Sequence, residues 1–168
     1  PILSVSTIVD CRGFESLSVL REISFKVNSD LKALDEVLGY FDQLNQAWIP
    51  KKDWLHCQLA LAEGFTNAVR HAHKDISGDI FVEIEIKLRS DSLEMRIWDF
   101  GPFFDLQAFL EANADKDNRF AGHGQGLPIL QKISAQLSYE RKNDERNCLL
   151  IIKKSVSYTH LTLPTIRS

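Results

Sequence analysis

The chain of 168 residues has no CxxC pair, and its three cysteines, Cys11, Cys57 and Cys148, are odd in number and lie far apart. That spacing argues against a disulfide framework and against a cysteine-held metal. Reduced thiols in a cytoplasmic protein are the expectation. No apolar run approaches the roughly 20 residues that a membrane helix needs. The opening stretch PILSVSTIVDCRGFES has neither a basic start nor a long apolar core, so no signal peptide is expected. Charge of one sign is lacking too. Against 23 Asp and Glu stand 20 Lys and Arg, a net −3, which supplies no broad nucleic-acid footprint. A GxxxxGK run followed by Ser or Thr does not occur, which excludes a P-loop protein. There is no internal repeat.

What is there is ordinary for a folded domain. Hydrophobic residues make up 44% and charged residues 26%, and the length suits one domain with a proper core. Residues 1–19 carry no strong period and read as an N-terminal arm. The run VSYTHLTLPT at 156–165 resembles the in-frame translation of a common sequencing-library adapter, so residues 155–168 are expected to be a non-native tail. The domain proper is then 20–154.

Within it, residues 20–27 alternate as a strand, with Leu20, Ile23, Phe25 and Val27 apolar among charged neighbours. Asn28, Ser29 and Asp30 offer helix caps. The stripe Leu31, Leu34, Val37, Leu38 and Phe41 predicts a helix running to about Trp48, broken by Pro50. A second helix is predicted over 52–73, with Trp54, Leu55, Leu59, Ala62, Ala68 and Val69 as much of its apolar side. Residues 81–88 and 93–98 predict a hairpin about Ser90–Asp91–Ser92. A short helical piece near 106–112 and a polar loop at 113–125 follow. A helix over 126–136 and a hairpin of 137–141 with 148–153 end the domain. Antiparallel strand pairs beside helices predict a two-layer α+β sandwich, and the lack of βαβ alternation disfavours a Rossmann sheet. His56 and His73 read as surface histidines, Trp48 and Trp54 as packing residues, and Glu83, Glu85 and Lys87 as a solvated strand face.

Three boxes carry candidate chemistry. The first is Glu63-Gly64-Phe65-Thr66-Asn67-Ala68-Val69-Arg70-His71. Glu63, Asn67 and His71 stand four residues apart, about 40° round a helix from one another, so all three project from nearly one face, flanked by Arg70. An Asn amide oxygen is a hard ligand that suits Mg2+, and a Glu one turn away can hold a water or take a hydroxyl proton. A plain solvated face would carry the same residue types. The second box is Trp98-Asp99-Phe100-Gly101-Pro102-Phe103-Phe104-Asp105. A carboxylate only accepts, so Asp99 can take a hydrogen bond from the amino group of adenine, and Gly101 permits close approach of backbone to a ligand. A simple Asp-x-Gly turn is the alternative. The third is Gly122-His123-Gly124-Gln125-Gly126-Leu127 leading into a helix. Glycine amides and a helix N-terminus together suit phosphate, though the triplet follows no strand and so is not a dinucleotide fingerprint.

Taken in order, E-x-x-x-N on a helix, D-x-G at a strand end and G-x-G-x-G-L before a helix resemble the ATP site of the GHKL superfamily, which includes gyrase and the histidine kinases. The resemblance spans roughly residues 20–154. Among its branches the chain is most similar to the anti-sigma-factor serine/threonine kinases, a bacterial signalling family. The resemblance implies a mainly antiparallel mixed sheet with helices on one face, and it implies ATP and Mg2+ as ligands. Asn67 would bind Mg2+, Glu63 would be the catalytic base, and Asp99 would read adenine beside Gly101. Gly122, Gly124, Gly126 and Leu127 would line the phosphates beneath a lid at 113–125. Pro102 and Phe103 depart from the family's second box while Asp105 is kept, so an altered pocket wall is expected.

The activity implied is phosphorylation of an anti-sigma-factor antagonist. The partners implied are that antagonist, a sigma factor, or both, with a homodimer plausible and neither nucleic acid nor membrane contacted. Two alternatives stay open. One is a non-catalytic ATP-binding switch that sequesters a sigma factor or another partner. The other is the regulatory domain of a longer signalling protein. Retention of Glu63 favours the kinase, because a pure binder does not need a base.

Overall fold

The computed structural model describes residues 19–114 and 126–154. The arm at 1–18, the tail at 155–168, and Gly122 and Gly124 with most of the expected lid lie outside the described residues. Among the described residues the five strands and four α-helices follow the anticipated order, with strands β1 (Val19–Asn28), β2 (Phe81–Arg89), β3 (Ser92–Asp99), β4 (Gln136–Arg141) and β5 (Asn147–Lys154). They form one sheet in the order β1-β2-β3-β5-β4, and every neighbouring pair is antiparallel. The mixed sheet that the resemblance implied is thus antiparallel throughout among the described strands.

The period-2 pattern decides which face is covered. Ile23, Phe25, Val27, Ile84, Ile86, Met95, Ile97, Leu149 and Ile151 turn to the buried side, where helices α1 (Leu34–Asp42), α2 (Lys51–Asn67), α3 (Leu106–Asn113) and α4 (Gly126–Ile133) join the same core. The opposite face carries the expected charges. Lys87 lies 3.2 Å from Glu85, and Arg146 lies 2.8 Å from Glu83. Leu20 departs from the pattern and is exposed, because the register shifts between Val19 and Arg21. A bulge there breaks the alternation.

Asp30 provides the cap that the sequence offered: its carboxylate accepts from the Lys32 amide at 2.9 Å, opening a 3-10 turn ahead of α1. The helix stops at Asp42, six residues before the predicted Trp48. Gln43, Leu44 and Asn45 bond to carbonyls three residues back, which tightens the chain out of α geometry. The apolar stripe nonetheless continues through Leu44, fully buried, without needing a helix.

The second helix begins at Lys51, one residue before the expected start, with Pro50 at its N-cap position, but its buried side is rotated. Trp54, Cys57, Ala60, Leu61, Gly64, Phe65 and Ala68 are buried, whereas Leu55 and Leu59 are 49% and 40% exposed. Apolar residues occur on several sides of this helix, so period alone could not choose between them. Small residues chose. A Cβ on Gly64 would collide with Ile97 Cδ1 and come within 3.4 Å of Ile151 and Leu149, so the helix axis rests directly on the sheet at β3 and β5. Trp54 stacks on Phe41 with centroids 4.1 Å apart, while Trp48 stays 43% exposed. Burial pushes the Cys57 thiol up to about 12 and the Cys148 thiol up to about 11, so both are inert thiols.

Candidate functional site

Gly64 presses α2 onto the sheet midway between Leu61 and Asn67, and this fixes where the first box sits. Glu63 and Asn67 are half-buried, one α-turn apart, as their spacing predicts. The α geometry ends there. Ala68–Ala72 forms a π-helical turn, closed by the His73 amide donating to the Ala68 carbonyl at 2.9 Å. His71 lies inside this turn and is exposed, whereas Glu63 and Asn67 are half-buried.

Asp99 ends β3 and is only 2% exposed. Its Oδ1 accepts from the Gly101 amide at 2.9 Å and from Asn147 Nδ2 at 2.8 Å, and its Oδ2 accepts from the Tyr139 hydroxyl at 2.8 Å. Antiparallel register brings these partners in. Asp99 pairs with Asn147 across β3 and β5, and Tyr139 comes from the outer strand β4. Three donors on a carboxylate with four acceptor positions leave one on Oδ2 unused among the described residues. Burial and the neighbouring Asp99 charge both drive the Tyr139 phenol well above its usual range, burial most, so it remains a donor.

The turn after Asp99 is held at nearly every polar atom. The Gly101 carbonyl accepts from Asn147 Nδ2 at 2.8 Å and from Arg141 Nη1 at 3.1 Å. The Phe100 amide donates to His73 Nε2 at 2.9 Å. Gly101 was expected to let backbone approach a ligand. A Cβ there would run into the backbone of Ala72, so the contact between the turn and the end of the π-helical segment by itself requires glycine. Asp105 has a local role as well: its carboxylate caps α3 by accepting from the Ala108 amide at 3.0 Å.

Phe103 is half-exposed and lies parallel to Tyr139 with centroids 5.8 Å apart, and Phe104 lies 4.8 Å from the same ring. The departure at Phe103 thus adds an aromatic surface beside the Asp99 carboxylate.

Of the third box, Gly126 and Leu127 are described. Gly126 opens α4 and Leu127 is buried. A Cβ on Gly126 would stand 2.6 Å from Glu63 Oε2, so the first-box carboxylate rests against the start of α4. A negative group suits that helix end. The structure therefore joins the residues just after the first box, Ala72 and His73, to the second box, and joins the first box to the third through Glu63.

His73 corrects the sequence reading. It is not a surface histidine but 6% exposed, with Nδ1 2.7 Å from Ser29 Oγ and Nε2 accepting from Phe100. Burial lowers its pKa below the usual 6.5, against a smaller opposing pull from Asp99. Tyr139, Asn147, Arg141 and Ser29 were likewise missed. Asn147 and Tyr139 could have been found by extending the alternation of the last hairpin, which turns both toward the side of Asp99. Nothing in the sequence marks Ser29 beyond its cap chemistry.

No helix among the described residues is long and apolar enough to cross a membrane. A comparison with curated proteins gives no match. A family model described as the histidine kinase-like ATPase domain matches residues 27–153, the greater part of the sheet and helices just described and all of the described site residues. With the box order, the antiparallel sheet and the buried Asp99 turn in agreement, the chain belongs to the histidine kinase-like ATPase domain family.

Proposed function

We propose that the chain binds ATP with Mg2+ and acts as a serine/threonine protein kinase on an anti-sigma-factor antagonist. Family membership supports the nucleotide. The observation that carries the base-reading role is the buried Asp99 carboxylate with one unused acceptor position on Oδ2. That position suits the amino group of adenine, and Phe103 and Tyr139 beside it offer aromatic surface to a planar base. Among the described residues no cluster of three or more His, Cys, Asp or Glu could hold a metal. Mg2+ commonly takes one or two protein oxygens and otherwise phosphate and water, which fits Asn67 as its protein ligand.

Bound ATP would supply the phosphoryl group that a serine oxygen takes, with ADP leaving. The chain's own part is positioning and proton transfer. Glu63 accepts the serine proton on its carboxylate. Gly126, at the start of α4, lies against the Glu63 carboxylate where a Cβ would meet it, and its amide and that of Leu127 belong to a helix N-terminus suited to phosphate oxygens. Retention of Glu63 beside that helix end supports a kinase over a switch module that only holds ATP and a partner.

The test of the nucleotide is calorimetry of Mg-ATP binding to the wild type and to Asp99→Asn. The amide puts a donor where an acceptor is wanted, so affinity should fall by about 1–3 kcal/mol. Equal affinity in the two proteins removes the adenine role of Asp99. Mass spectrometry of serine-bearing antagonist proteins after incubation with Mg-ATP tests the kinase. Nucleotide binding without transfer to any of them leaves the sequestering module.

A further inference from the structure

His73 joins three separate segments. Its backbone amide closes the π-turn that follows Asn67, its Nδ1 meets Ser29 at the end of β1, and its Nε2 meets the Phe100 amide directly after Asp99. The Phe100 amide can only donate, so Nε2 must present its lone pair. The ring proton is then on Nδ1, where Ser29 Oγ accepts it at 2.7 Å. Only one tautomer satisfies both contacts. Next to this bond, Gly101 lies against the Ala72 backbone, so the two contacts are adjacent along both segments.

We propose that His73 is a positioning residue for nucleotide binding: as the Nδ1–H tautomer it fixes the Phe100 peptide, and through it sets the Asp99 carboxylate relative to the helix end that carries Asn67. The proposal rests on the ATP reading above. His73 touches neither base nor phosphate. It acts by holding the Asp99–Gly101 turn against the π-turn, so that the group assigned to adenine and the group assigned to the metal keep one spacing. Pre-organised spacing of this kind raises affinity by removing the ordering that binding would otherwise require. The same link explains why a buried imidazole is used here. An aliphatic side chain of similar size would fill the space but leave the Phe100 amide without its acceptor.

Two variants separate the acceptor from the packing. His73→Leu keeps much of the volume and removes both polar contacts. His73→Gln restores an acceptor for the Phe100 amide. Calorimetry with Mg-ADP should show binding about tenfold weaker in His73→Leu, equivalent to roughly 1.4 kcal/mol, and within a few-fold of wild type in His73→Gln. Hydrogen exchange in the nucleotide-free proteins should quicken at the Phe100 amide in His73→Leu alone, with the Ile86 amide in mid-sheet unchanged. Wild-type affinity in His73→Leu overturns the proposal. So does equal weakening in both variants, which would make the role one of shape. If His73→Leu does not fold, imidazole 15N spectra of the wild type decide: a proton on Nε2 overturns the proposal, and a proton on Nδ1 with a bare Nε2 supports it. Should the wild type bind no adenine nucleotide, the ATP reading and this role fall together. Quickened exchange at Phe100 would then still show that the bond itself exists, so the two failures are told apart.

Discussion

The Tyr139 hydroxyl donates at 2.8 Å to the buried Oδ2 of Asp99, across two strand positions that are 40 residues apart in sequence. This bond ties the outermost strand β4 to the end of β3. Tyr139→Phe keeps the ring stacked on Phe103 and Phe104 and removes only the donor. Oδ2 then has no partner among the described residues, and hydrogen bonds to charged groups contribute about 1.5–3 kcal/mol. Urea unfolding should show a loss of that size. An unchanged midpoint would mean that water or the nucleotide already satisfies the carboxylate.

Two glycines should respond differently to a methyl group. In Gly64→Ala the added carbon meets side-chain ends, those of Ile97, Ile151 and Leu149, which can shift at a cost of about 1–3 kcal/mol. In Gly101→Ala it meets the backbone oxygen, carbon and Cα of Ala72, and nothing there can rotate away. The second variant should therefore be the less stable of the two, and it should also bind Mg-ATP more weakly because the Asp99 turn must move. Comparable melting temperatures for Gly101→Ala and wild type would show that the turn and the π-helical end are not in contact.

The difference between these glycines also marks what was legible in the sequence. The three boxes, their order, the five strands and the antiparallel pairing follow from short-range patterns: alternation in Phe81–Arg89, the cap at Asp30, the break at Pro50. The buried side of α2 did not follow. Leu55 and Leu59 are as apolar as Leu61, and only the closeness that Ala60 and Gly64 permit selects the face against the sheet. The π-turn at Ala68–Ala72 was equally invisible, because the residues its end meets, Gly101 at Ala72 and Phe100 at His73, lie about 30 residues away in sequence. His73 was misread for the same reason. A lone histidine in a polar turn carries no local sign of burial. Asp99 was found, yet its partners Tyr139 and Asn147 depended on a strand order in which β5 sits beside β3.

Stability should depend on pH through His73. Its pKa is lowered on folding, mainly by burial and against the opposing charge of Asp99. The unfolded chain therefore takes up a proton first as the pH falls. The stabilisation is complete above the usual 6.5, declines as the pH drops below it, and is lost once the folded pKa is passed. His73→Gln has no such proton to take up. Urea midpoints measured from neutral pH down to about pH 5 should thus fall more steeply for wild type than for His73→Gln. Parallel curves would mean that the imidazole titrates alike in both states.

The last prediction concerns Glu63, whose carboxylate leans on Gly126 at the head of α4. In the proposed kinase this group accepts the serine proton and does not hold the nucleotide. Glu63→Gln keeps the shape and the contact with α4 and loses the basic oxygen. Its cost to folding should be small, since a charge at a helix N-terminus contributes about 0.3–1 kcal/mol. ATP affinity and partner binding should stay within a few-fold of wild type, while phosphotransfer to the antagonist should fall by about 10²-fold or more. Asn67→Ala should show the opposite order of effects, with Mg-ATP binding itself weakened because the proposed metal ligand is gone. The two variants need to be measured side by side for both quantities, because a general disturbance of α2 would lower both in each. Transfer at the wild-type rate in Glu63→Gln would show that Glu63 is not the base. Loss of nucleotide binding in Glu63→Gln would instead place its carboxylate among the ligand contacts, at the point where the first box meets α4.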